Sequence, residues 1–151
     1  MLKTFKKNIS SLFLVVILGL FVLLLVSGYR NGSQKFVNVE IGKTNLRMEL
    51  ADDEQSRVKG LSNRDSIGRD GMLFVFTESS AKNCFWMKDM KFSIDMVWLS
   101  SDKTVLSIDR EVSPITFPNT FCPVSPAKYG IEINAGTAQN YGFAIGKQVK
   151  F

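Results

Sequence analysis

Histidine is absent from all 151 residues. That removes the usual general base near neutral pH and the commonest metal ligand. Cysteine is almost as scarce: Cys84 and Cys122 are the two present. They form no CxxC redox pair, and two thiols without histidine are too few for a zinc site. Neither a metal nor a cofactor is expected. No phosphate-cradling glycine loop, dinucleotide fingerprint, G-x-S-x-G or S-x-x-K is found, so no nucleophile motif is available. Proline is confined to Pro114, Pro118, Pro123 and Pro126, and regular structure is not expected in that stretch. A strong charge bias is missing too. The net charge is +5, but three of the 19 Lys and Arg are Lys3, Lys6 and Lys7, leaving 16 against 14 acidic residues, or +2. With no basic stripe interleaved with aromatics, nucleic acid is not an expected partner.

What is present begins with an apolar run. Leu12 to Val26 is uncharged and follows the three lysines. Ile9-Ser10-Ser11 lengthens it to 18 residues, about 27 Å as a helix and enough for a thin bilayer core. Lysines on the N-terminal side keep that end in the cytoplasm and place the rest outside. Two outcomes stand open: a retained single-pass anchor, or a signal peptide cleaved near Val26-Ser27-Gly28 and a secreted product. The organisation is residues 1–28 anchor or signal, 29–35 polar tether, and 36–151 a single β-rich domain. The length of the last is ample for one core.

Within that domain, apolar residues alternate with polar ones at Val37, Val39 and Ile41, then at Leu46, Met48 and Leu50. Gly42-Lys43 between them predicts a β-hairpin. Asp52 or Asp53 is placed to cap a short helix with Val58 and Leu61 facing the core. Met72–Phe76 reads as a buried strand. Phe92, Ile94, Met96 and Trp98 then fall on one face of a further strand, with Ser93, Asp95, Val97 and Leu99 on the other. Thr104 to Arg110 returns through a hairpin, Lys128 to Ala135 forms a strand, Thr137 caps a helical turn, and Gln148–Phe151 closes the sheet.

Two constellations carry possible chemistry. Outside the cytoplasm, Cys84 and Cys122 favour a disulfide, with two unpaired buried thiols as the alternative. Around Asp95, a carboxylate in an apolar strand that needs a partner, the chain offers Lys88, Asp89 and Glu132, with Arg57 and Arg64 as neighbours. Carboxylates in unlike environments can share acid and base roles; structural ion pairs leave the same trace. Trp86, beside Lys88 and between Phe85 and Met87, is the candidate rim aromatic.

The blocks Gly71-Met72-Leu73-Phe74-Val75-Phe76, Phe85-Trp86-Met87-Lys88 and Ile94-Asp95-Met96, with Arg57, Gly60-Leu61 and Arg64 before them and Glu132, Ala135-Gly136 and Gly146 after, resemble the domain-of-unknown-function 192 family. The likeness covers residues 36 to 151. Ser62, Asp89-Met90, Ser93 and Lys147 depart from its pattern. The resemblance implies a compact, mostly β, barrel-like domain and no assigned activity.

The reading is therefore a small antiparallel β-barrel or half-barrel with one or two short helices, preceded by one transmembrane helix or signal segment and held outside the cytoplasm as a monomeric domain. The leading function is a membrane-tethered binding or accessory domain, with Arg57, Arg64, Trp86, Lys88, Asp89, Asp95 and Glu132 as the ligand-binding candidates. The alternatives are a carboxylate-dependent hydrolase or transferase using Asp95 and Glu132, and a structural partner of an envelope protein. The partner molecule, beyond the membrane itself, is open between a small molecule and an envelope protein.

Overall fold

The computed structural model describes residues 13–21 and 34–151. Residues 13–21 are helical and exposed. The remainder of the expected anchor, and tether residues 29–33, lie outside the described residues. Among the described residues no helix is long and apolar enough to cross a membrane.

The domain from Gln34 onward contains a six-stranded sheet and a two-stranded ribbon. The predicted hairpin is β1 (Phe36–Ile41) and β2 (Thr44–Ala51), turning at Gly42-Lys43. A helix, Glu54–Lys59, follows a capping box in which Asp53 Oδ1 accepts from Ser56 N at 2.7 Å. Then come β3 (Met72–Ser80), β4 (Phe85–Trp86), β5 (Ile94–Leu99), β6 (Val105–Val112), β7 (Thr120–Phe121), β8 (Ala127–Asn134) and a helical turn, Ala138–Tyr141. The large sheet has the order β1-β2-β3-β8-β5-β6, while β4 pairs with β7.

Of the expected antiparallel barrel or half-barrel, the closed form is not made and the pairing is not all antiparallel: the sheet is open, and β2 runs parallel to β3. A parallel pair needs a crossover, and residues 52–71, carrying the helix, supply it. The C-terminal segment makes isolated bridges, Glu40 to Lys150 and Thr104 to Gln148, where a closing strand was expected. The proline-rich stretch is more regular than expected, holding a 3-10 turn at Pro114–Thr116 as well as β7.

Both faces of the sheet are covered, so all six residues of β5 are buried. The alternation expected there is seen. Val97 and Leu99 join Ile131, Ile133, Leu46, Met48 and Phe143 in one core cluster, and Ile94, Met96 and Trp98 join Phe74, Phe85 and Leu61 in the other. Each large side chain so buried contributes about 1.5–3 kcal/mol. Leu61 is buried as expected, but Val58 is 76% exposed; the short helix turns it outward.

Candidate functional site

The pairing register lays a row of side chains across one face of the sheet. Glu49 on β2 stands opposite Met72 on β3, Met72 opposite Glu132 on β8, and Glu132 opposite Met96 on β5. Two carboxylates thus share one largely apolar row, and the two are treated differently. Arg64 donates Nη1 to Glu49 Oε1 at 2.7 Å and Nη2 to Glu49 Oε2 at 2.9 Å, a bidentate pair. Gln34 Nε2 adds a bond to Glu49 Oε2 at 3.1 Å. Glu132 is 5% exposed, and its buried Oε2 has no hydrogen-bond partner among the described residues. Burial pushes its carboxyl up to about 8 from 4.5, against the opposing pull of the Arg64 guanidinium.

Glu132 lines a cavity of about 250 Å³. The walls are Leu61, Phe74, Phe76, Phe85, Trp86 and Met90, and the helix Glu54–Lys59 and the residues after it close another side with Arg57, Val58, Lys59 and Ser62. Glu132 is the one carboxylate among these lining residues. Arg57 is pinned by a single nitrogen, Nη1, which donates to the carbonyls of Asp52 at 2.9 Å and Val75 at 3.0 Å. Ser62 Oγ donates to the Lys88 carbonyl at 2.8 Å, and Asn63 N to that of Asp89 at 2.8 Å, which seats the turn after β4 against the cavity wall.

The aromatic wall depends on a missing side chain. Gly130 faces Phe74 and Trp98 across the strands, and the Phe85 ring lies over it, 4.6 Å from the Phe74 ring and 4.5 Å from that of Trp98. A Cβ on Gly130 would approach that ring to 2.6 Å. Phe85 reaches the sheet because β4 pairs with β7 (Phe85 to Phe121, Trp86 to Thr120), and the next pair outward is the disulfide Cys84–Cys122, with Cα atoms 4.2 Å apart. Strand alternation then turns Trp86 outward at 50% exposure. It packs edge-on against Phe117 at 5.9 Å, with Lys88 Nζ over its ring at 5.5 Å.

Of the sequence-derived candidates, the fold gathers Arg57, Trp86 and Glu132 at one cavity, sets Lys88 on Trp86, and commits Arg64 to Glu49. Asp89 is exposed, outside the lining, and holds a positive φ of 56° in its turn. Asp95 is elsewhere altogether. It pairs across the strands with Ile133, whereas Glu132 pairs with Met96, so the two carboxylates project from opposite faces of the sheet and cannot converge on one substrate. The cations expected beside Asp95, Arg57, Arg64 and Lys88, are not the partners it has. Its oxygens accept from the backbone N–H groups of Glu111 at 2.8 Å, Gly136 at 3.0 Å and Ala138 at 2.9 Å. It therefore satisfies the first turn of the helix Ala138–Tyr141, a role expected of Thr137, which makes no side-chain cap. Sequence reasoning missed Glu49 as the holder of Arg64, because Glu49 reads as the outward residue of an alternating strand. It also missed Phe74 and Phe76 as cavity walls.

Comparison with known proteins agrees with this architecture. The model of the domain-of-unknown-function 192 family, described as an uncharacterized ACR, matches residues 37–151. A crystal structure of a candidate transcription regulator from Sinorhizobium meliloti 1021 is 30% identical, with a TM-score of 0.72 over 80% of this chain and 96% of that one. A protein of unknown function from Novosphingobium aromaticivorans DSM 12444 is 25% identical, with a TM-score of 0.70 over 82% of this chain and 90% of the other. No curated protein matches the chain.

Proposed function

This chain belongs to the domain-of-unknown-function 192 family, and from that premise we propose that it is a membrane-tethered domain, held outside the cytoplasm, that binds a small ligand in the Glu132 cavity. One observation carries the binding reading: Glu132 Oε2 is buried, without a partner among the described residues, at a cavity lined by aromatic rings. A buried polar atom left unpaired costs roughly 1–3 kcal/mol, and such a cost persists most readily where a ligand meets it. The location rests on Lys3, Lys6 and Lys7 before the apolar run and accords with the Cys84–Cys122 bond.

The hydrolase or transferase reading loses its basis, since it required Asp95 and Glu132 side by side. The regulator label of the Sinorhizobium meliloti protein is not extended to this chain, whose residues after the apolar run are nearly charge-balanced. The structural-partner reading keeps one point in its favour, the exposed pair Trp86 and Phe117, whose rings pack edge-on at 5.9 Å.

Two measurements test the proposal. A reporter fused after Phe151 should be active only when it functions outside the cytoplasm; activity of a cytoplasm-dependent reporter overturns the topology. A stabilisation screen of small molecules on the full chain in detergent should find compounds that raise the melting temperature, by about 2.7 kcal/mol of stability at 100 times their dissociation constant. Phe76→Trp, which alters the cavity wall, should weaken those compounds, whereas Trp86→Ala should weaken them less than it weakens any envelope-protein complex.

A further inference from the structure

We propose that the patch of Phe36, Arg47 and Arg69, where the domain joins its tether, docks on anionic phospholipid headgroups; this rests on reading the chain as membrane-tethered, and not on the cavity. Two guanidiniums meet one exposed ring there. Arg47 Cζ lies 5.0 Å from the Phe36 ring centroid and Arg69 Cζ 5.7 Å from it. All three residues are exposed. Arg47 stands on β2 opposite Asn38, and so diagonal to Phe36 on the same face. Arg69 comes from the end of the crossover 52–71. Asp70 fastens that end to β2 by accepting from Arg47 N at 2.8 Å.

Among the described residues neither guanidinium has a side-chain hydrogen bond or an ion pair. An aromatic face attracts a cation without taking up its N–H groups as an oxygen does. Both forks therefore keep donors for an anionic oxygen, and a phosphate suits them because it accepts two parallel bonds. The neighbouring charges leave the patch positive. Lys35 is taken by Asp52 at 2.9 Å and Glu49 by Arg64, so these pairs cancel. Asp70 sets one acid against the two guanidiniums. Glu40, four residues along the same face from Phe36, is about 13 Å away.

The tether decides between occupants. Residues 29–35 span at most about 25 Å when fully extended, and Phe36 is the first residue of β1. A patch at the head of β1 stays within that reach of the bilayer, and tethering keeps a weak contact at high effective concentration. Headgroups supply phosphates side by side, so both arginines find one at once. An exposed ring beside basic residues suits the headgroup level, where aromatic side chains gather. Phe36 also stands opposite Glu49, and so heads the row that runs through Met72 and Glu132 to Met96. The docked edge belongs to the face that carries the cavity, and docking limits how the domain turns about its tether.

The test places the full chain in vesicles of phosphatidylcholine, alone or mixed with phosphatidylglycerol, with a nitroxide on the lipid headgroups. Phe36→Trp, read as its fluorescence less that of the parent, reports contact at the patch. Quenching should be strong in the mixed vesicles and weak in the neutral ones. It should fade at about 1 M salt, where charges are screened beyond about 3 Å. Arg47→Gln and Arg69→Gln should each lower the docked-to-undocked ratio about fivefold. Lys82→Gln, a cation beyond the far end of β3, should leave it unchanged. Equal quenching in both vesicle types, or no loss in the double arginine variant, overturns the docking. Protection by inorganic phosphate beyond that of chloride at equal ionic strength gives the site to the free anion and overturns the lipid assignment. Emission that shifts with protein concentration in neutral vesicles gives the patch to a second copy, with the same effect. Failure of the full chain to float with either vesicle type is a distinct outcome, which overturns the tether itself.

Discussion

Arg64 gives both of its terminal nitrogens to Glu49, at 2.7 and 2.9 Å, and so leaves Glu132, the next carboxyl along the same face, without a cation of its own. The sheet register makes this division: Glu49, Met72 and Glu132 are successive members of one row. Arg64 reaches the outer member of the row, and the inner one stays neutral.

The first prediction concerns that inner member. Between 4.5, where the unfolded chain loses the proton, and about 8, where the folded chain loses it, the native state binds more protons than the unfolded state. The contribution of Glu132 to stability is therefore fully present below 4.5 and declines as pH rises toward 8. At about 1.4 kcal/mol per pH unit, the loss over that window is on the order of 4–5 kcal/mol. Glu132→Gln should flatten the decline, so that the variant is more stable than the parent at pH 8 and level with it near pH 5. Urea titrations across that range check this; parallel curves for the two proteins would sink it.

Arg64→Ala should be costly because it leaves the Glu49 charge buried and unpaired. Breaking such a pair costs about 3 kcal/mol. Glu49→Gln combined with Arg64→Ala should recover part of the loss. Thermal unfolding of the single and double variants reads the coupling, and strictly additive losses would contradict the pairing described.

Asp95→Asn should cost about 2–3 kcal/mol, since an amide offers one acceptor oxygen where three N–H groups converge and turns a donor toward at least one of them. Because Asp95 lies on the face away from the cavity, compounds that stabilise the parent should stabilise this variant by the same increment. A melting temperature unchanged within error would show that the three bonds contribute nothing.

Cys84→Ser with Cys122→Ser should lower stability by roughly 4 kcal/mol in the chain-entropy description of a bridge closing this loop. It should also loosen Phe85 over Gly130, so the cavity compounds should bind more weakly. Free-thiol labelling of the exported parent without reductant should modify neither cysteine; labelling of both would remove the bridge from this account.

Several local features were legible in the sequence because their causes are local. Alternation with Gly42-Lys43 at its centre makes β1 and β2, Asp53 starts the helix Glu54–Lys59, and period two along β5 sorts Ile94, Met96 and Trp98 from Asp95, Val97 and Leu99. The two cysteines outside an expected anchor pointed to their own bond, and Arg57, Trp86 and Glu132 were named before any geometry joined them. What decided the site was register between strands distant in sequence. The parallel pairing of β2 with β3 opened the expected barrel into a mixed sheet. A one-residue offset sets Asp95 opposite Ile133 and Glu132 opposite Met96, and in a strand one residue is the difference between faces. That offset gave Asp95 to three backbone amides and Glu132 to a cavity. Their separation depends on contacts between residues nearly forty positions apart, which no local pattern along the chain encodes.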